Sequence, residues 1–122
     1  MKCLFEFDEY SPNTGFPSMR DFFQNGSYPN KEKILNYLKT HGECIAASTQ
    51  KNSDFFTGEL ICGEELFFND GTFSWTTSLI YYVDKYNLKL SDEFEKHVIE
   101  KQKKWIMLYG AILWLKMTIM YW

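Results

Sequence analysis

Three cysteines, two histidines and the adjacent acids Asp8-Glu9 and Glu64-Glu65 are the residues whose types could do chemistry in this chain. The cysteines are Cys3, Cys44 and Cys62, and the histidines are His41 and His97. No CxxC pair exists, and the histidines form no zinc-ligand motif with the thiols. An odd number of scattered cysteines reads as free thiols in a reducing cytoplasm. His41 and Cys44 are close enough in sequence to suggest a base beside a thiol nucleophile. Such a pair needs an orienting acid and an oxyanion loop, and none can be named beside it. Asp8-Glu9 and Glu64-Glu65 are adjacent acids. In a strand, neighbouring side chains point to opposite faces, so neither pair is an acid/base couple by itself. The seven glycines fall singly, which excludes a glycine-rich phosphate loop. No catalytic residue, no metal and no cofactor are expected, and the chain reads as a non-enzyme.

Charge points instead to binding. Residues 1–100 hold all 16 acids against 9 bases, a balance of −7, while residues 101–122 hold four Lys and no acid. An acidic body disfavours direct nucleic-acid binding and attracts a basic partner. The acids concentrate between Glu43 and Asp70, where six of them (Glu43, Asp54, Glu59, Glu64, Glu65, Asp70) face one base, Lys51. Phe55, Phe56, Phe73 and Trp75 lie in or near the same stretch. Acidic groups around aromatic anchors suit an interface in which charge steers the encounter and rings carry energy. The expected partner contacts are Glu59, Glu64, Glu65 and Asp70, with Asp54 and Phe56 on the adjoining loop. A solvated sheet edge with acids that block unwanted pairing would look the same in sequence.

The elements that must position these residues are legible. At 122 residues, 45% hydrophobic and 19% aromatic, the chain has the length of one domain with a core built on Phe and Tyr. Residues 2–7 read as a strand, 8–18 as a Pro- and Gly-bearing loop, and 18–23 as either a helical turn or a short strand. Asn25-Gly26 marks a turn. Asn30 to His41 reads as a helix with Asn30 as side-chain N-cap, Ile34, Leu35 and Leu38 as its apolar stripe, and Gly42 in a left-handed C′ position. Strands follow at 43–48, 60–69 and 72–76, with a polar loop at 49–58. Asp70-Gly71 predicts a two-residue type I′ hairpin turn. Leu79, Ile80, Tyr82, Val83 and Tyr86 recur at helical spacing behind a cap at Thr76, Thr77 or Ser78. The core is expected to include Leu66, Phe68, Leu79, Ile80 and Val83. A last helix starts at Ser91, with Phe94 and Val98 on its buried edge and His97 at the surface. The expected fold is α+β: an antiparallel sheet of three to four strands with helices packed on one face.

Residues 1–104 make this single domain, and 105–122 form an apolar C-terminal tail. The tail carries three Trp, three Met, one Lys and no acid. As a helix it would span about 27 Å, near the lower limit for crossing a bilayer. Three readings stay open: a helix or strand docked on the body, a membrane-associating segment, or a compositionally foreign end.

The run FFTGELICGEELFFNDGTFSWTTSLIYYVDKYNLKLSDEFEKHV resembles small bacterial immunity proteins of polymorphic-toxin and contact-dependent growth inhibition systems. Four blocks carry the resemblance: D-x-x-T-G-E at Asp54 to Glu59, an aspartate-glycine hairpin with an aromatic-x-Trp step at Asp70 to Trp75, YYV-x-KY at Tyr81 to Tyr86, and a leucine-led helix start at Leu90 to His97. The likeness covers residues 30–100. It departs from the pattern at Ser91, where proline is expected, and at Phe55-Phe56, where a proline is also absent. The resemblance implies a cytoplasmic immunity protein that neutralises a cognate toxin domain, expected to be a nuclease, by stoichiometric binding. The competing expectation is a small membrane-tethered accessory protein anchored by its tail.

Overall fold

The computed structural model describes the backbone of residues 1–120 and the side chains of 1–104, 107–110 and 112. Its main sheet is built from β1 (Lys2–Cys3), β2 (Glu43–Ser48), β5 (Glu65–Asn69) and β6 (Phe73–Thr76), in the order β1-β6-β5-β2. A separate two-stranded sheet pairs β3 (Asn52–Ser53) with β4 (Leu60–Cys62). The helices are α1 (Lys31–Thr40), α2 (Thr77–Tyr86) and α3 (Asp92–Met120), and a 3₁₀ turn covers Met19–Phe22. The class is α+β with a mostly antiparallel sheet. The exception is β1, which runs parallel to β6.

Alternation in β6 explains the layering. Phe73 and Trp75 are buried and contact Phe94 of α3, while Trp75 donates its indole N–H to Leu38 O of α1 at 3.0 Å. The helices α1 and α3 therefore cover the face these two rings occupy. The core gathers Ile34, Leu35, Tyr37 and Leu38 from α1, Leu79, Tyr82 and Val83 from α2, and Phe94 and Val98 from α3. Burying each large apolar side chain contributes about 1.5–3 kcal/mol. Leu66, Phe68 and Ile80, expected in the core, are only half-buried; beside Leu66 and Phe68 the paired strand β2 offers the small side chains of Ala47 and Cys44. Thr76 ends β6 and caps α2 through its hydroxyl, which accepts from Leu79 N at 3.2 Å.

Several local expectations change. The first strand stops at Cys3, because Leu4 and Phe7 turn into the core. The predicted 60–69 strand breaks at Gly63-Glu64, and its two parts join different sheets. The 49–58 loop contains β3. The hairpin is not type I′: Gly71 has φ +93°, but Asp70 does not have positive φ. Asp70 N instead donates to Phe73 O across a wider loop. Asn30 takes φ +70° and makes no side-chain cap; its amide donates to Glu95 on α3 at 3.0 Å.

Gly42 is required for space, not for a left-handed backbone. A Cβ there would sit 2.6 Å from Trp75 Cζ2 and 2.8 Å from Phe68 Cβ. Gly42→Ala is expected to cost about 1–3 kcal/mol by forcing this contact apart. A urea denaturation midpoint equal to wild type would show that the sheet yields there without cost.

α3 runs without interruption through residue 105, where the sequence divides body from tail. Met107, Leu108, Tyr109 and Ile112 on this stretch are each at least half exposed. Among the described residues no helix is long and apolar enough to cross a membrane.

Candidate interaction site

The loop closing the β3–β4 hairpin, residues 54–59, is a heavily braced surface feature. Asp54 stands at its base and is 2% exposed. Its Oδ1 accepts from Phe56 N at 2.7 Å and Thr57 N at 3.2 Å, folding the loop over the carboxylate. Its Oδ2 accepts from the hydroxyls of Tyr81 at 2.8 Å and Tyr86 at 2.7 Å, both on α2. The loop backbone closes on itself through Asp54 N to Glu59 O and Gly58 N to Asp54 O, with Gly58 at φ +78°. Phe55 N donates to Tyr82 Oη at 2.9 Å. Three tyrosines of α2 thus hold one hairpin loop. Burial alone would raise the pKa of Asp54, but the Tyr86, Phe56, Tyr81 and Thr57 donors outweigh it and bring the carboxyl down to about 2.

This frame decides which ring faces outward. Phe56 turns inward, half-buried between Phe23, Tyr82 and Tyr86, with the Arg20 guanidinium 4.7 Å over its ring. Phe55 stacks on Tyr82 and stays 48% exposed. Leu60, at the other end of the loop, is 61% exposed. The exposed carboxylate of Glu59 lies between them in sequence, 3.4 Å from Lys85, and Glu64 is exposed just beyond β4. Phe55 and Leu60 are the surface residues that sequence reasoning did not select. Adjacent phenylalanines give no hint of which one turns in; the Tyr81–Tyr86 face of α2 decides it.

The six expected contact residues therefore separate. Glu59 and Glu64 are exposed. Asp54, Glu65 and Asp70 do not present an acidic outer surface as expected, because each is occupied inside the fold. Glu65 is 5% exposed; its Oε1 accepts from Ser78 N at 2.7 Å in the first turn of α2, where a carboxylate also suits the helix dipole, and its Oε2 accepts from Asn52 Nδ2. Asp70 accepts from Thr72 N, Phe73 N, the Tyr37 hydroxyl at 2.5 Å and His97 Nε2 at 2.8 Å. A carboxylate can only accept, so His97 Nε2 carries the proton. His97 is accordingly half-buried and ties α3 to the β5–β6 hairpin, not a surface residue among its charged neighbours.

The groups that could do other chemistry are dispersed. Cys44 and His41 are both exposed; the Cys44 thiol lies 3.6 Å from Ala46 O and His41 Nδ1 meets the Thr40 hydroxyl. Burial pushes the Cys3 and Cys62 thiols up, away from the reactive thiolate. No group of three or more His, Cys, Asp or Glu among the described residues could hold a metal ion. An open cleft of about 450 Å³ runs beside β1, lined by Leu4, Phe7, Phe22 and Leu90 with Glu6 and Lys89, and offers no convergent set of reactive groups.

No protein-family model, curated protein or solved structure matches the chain.

Proposed function

We propose that this protein is an immunity protein that binds and neutralises a cognate basic toxin domain, a nuclease, in the cytoplasm. The observation that carries the reading is the braced 54–60 loop. It holds an exposed aromatic ring and an exposed leucine in a fixed conformation beside exposed acids. A loop already ordered in its bound shape loses little entropy on association, so its rings can contribute most of their contact energy to affinity. Glu59, Glu64 and the −7 balance of residues 1–100 supply the field that draws in a basic cleft. Neutralisation on this reading is stoichiometric: the loop covers or jams the toxin, and no bond is made or broken. The resemblance in residues 30–100 supports the same reading through the D-x-x-T-G-E and YYV-x-KY blocks, which meet in space at Asp54.

Co-expression provides the test. Candidate basic nuclease toxin domains, first among them any encoded beside this gene, are produced in a host with and without this protein. Growth is expected to be restored by the wild-type chain and lost again with Phe55→Ala combined with Glu59→Lys. Protection that is undiminished in that variant, at equal protein level, would move the interface away from the loop. Absence of protection by the wild-type chain would remove the immunity reading.

A further inference from the structure

The C-terminal half of α3 takes no part in the loop interface, yet it carries dense exposed apolar surface. Met107, Leu108, Tyr109 and Ile112 are 74%, 65%, 52% and 50% exposed. At about 100° per residue these positions spread over about 200° of the helix circumference. A seam between two helices uses a narrower stripe, so a single partner helix would leave part of that arc in water. A fluid lipid boundary covers a wide arc without needing matched side chains. Directly before the apolar run, Lys101, Lys103 and Lys104 are all exposed, and no acid occurs from residue 101 to 122. The preceding 100 residues carry −7. An anionic surface would attract the lysines and repel the acidic body, setting one orientation.

We propose that the C-terminal half of α3 docks on an anionic lipid surface. The three lysines sit among the headgroups, and Met107, Leu108 and Ile112 enter the headgroup–acyl boundary. On this proposal the segment lies in the headgroup–acyl boundary, with its lysines toward the headgroups and its apolar arc toward the acyl chains. The proposal rests on residues separate from the 54–60 loop and stands whether or not that loop binds a toxin.

Flotation of the full chain with phosphatidylcholine vesicles, with and without phosphatidylglycerol, tests it. The wild-type chain is expected to float with the anionic vesicles and to bind neutral ones at least about tenfold less. K101E/K103E/K104E is expected to lose about tenfold or more of the anionic binding, with unchanged far-UV circular dichroism. M107N/L108N/I112N is expected to lose binding to both vesicle types. A wild-type chain that stays below the gradient with anionic vesicles overturns the proposal. So does equal flotation of the charge-reversed variant. Sedimentation of a stable dimer that does not float would assign the apolar arc to a second copy instead.

Discussion

Asp54→Ala is expected to lower folding stability by about 3–5 kcal/mol, the range seen when one partner of a buried charged network is removed. The substitution strips the acceptor from two backbone N–H groups and two tyrosine hydroxyls at once. Lys85 Nζ, 3.8 Å from Oδ2, loses its nearby counter-charge as well. A domain of this size has about 5–15 kcal/mol in total, so the variant sits near the folding threshold. Asp54→Asn keeps one carbonyl oxygen and is expected to fall between the two. Urea denaturation at neutral pH measures the loss, and amide exchange at Phe56 and Thr57 reports whether the loop opens first. A loss under about 1 kcal/mol would mean that water satisfies those donors without cost and that the loop is not braced as described.

Acidification is expected to act on the same network from the other direction. Burial by itself would raise the pKa of Asp70, but donation from Phe73 N, Tyr37, Thr72 N and His97 lowers it to about 2, as the corresponding donors do for Asp54. Both folded values lie below the ordinary carboxylate value of 3.8. The unfolded chain therefore binds protons more readily than the folded one below pH 4. The two carboxylates contribute their full stability above about pH 4, and that contribution fades as pH falls toward about 2. Thermal melts at steps from pH 5 to pH 2 should show a steep decline in Tm across this window. Asp70→Asn should start lower and decline less steeply, because one linked carboxyl is gone. Parallel curves for wild type and Asp70→Asn would show that Asp70 is not a linked group.

The four blocks that stand out in the sequence prove to be two tertiary units. The Asp54–Glu59 block is held by the Tyr81–Tyr86 block through three tyrosine hydroxyls. The Asp70–Trp75 hairpin is held by the Leu90–His97 block through His97 and Phe94. Helical periodicity located α1 and α2 to within a residue or so, because their apolar stripes each face one core. The strand breaks were harder to read. Glu65 looks like a surface acid in a strand, and the arrival of α2's N-terminus and the Asn52 amide beside it makes a buried carboxylate favourable. Asp70 and Asp54 mislead in the same way: an acid in a turn has the same local sequence whether its partners are water or tyrosines 27 or more residues away. Lys31, buried with its ammonium on Asp84 O and Asn87 Oδ1 at the end of α2, is a further case. Exposure of Phe55 over Phe56 depends on the same long-range contacts.

On the proposed function, the 54–60 loop is a preformed binding surface for a basic protein domain. Calorimetric titration of the full chain against a toxin domain from which it protects a host, at low and high salt, measures this. Phe55→Ala is expected to weaken binding by about 2 kcal/mol, roughly thirtyfold, as loss of a central aromatic anchor does. Glu59→Lys with Glu64→Lys is expected to weaken it further at low salt and to flatten the salt dependence. Wild-type affinity and salt slope in both variants, with the fold intact, would contradict the claim.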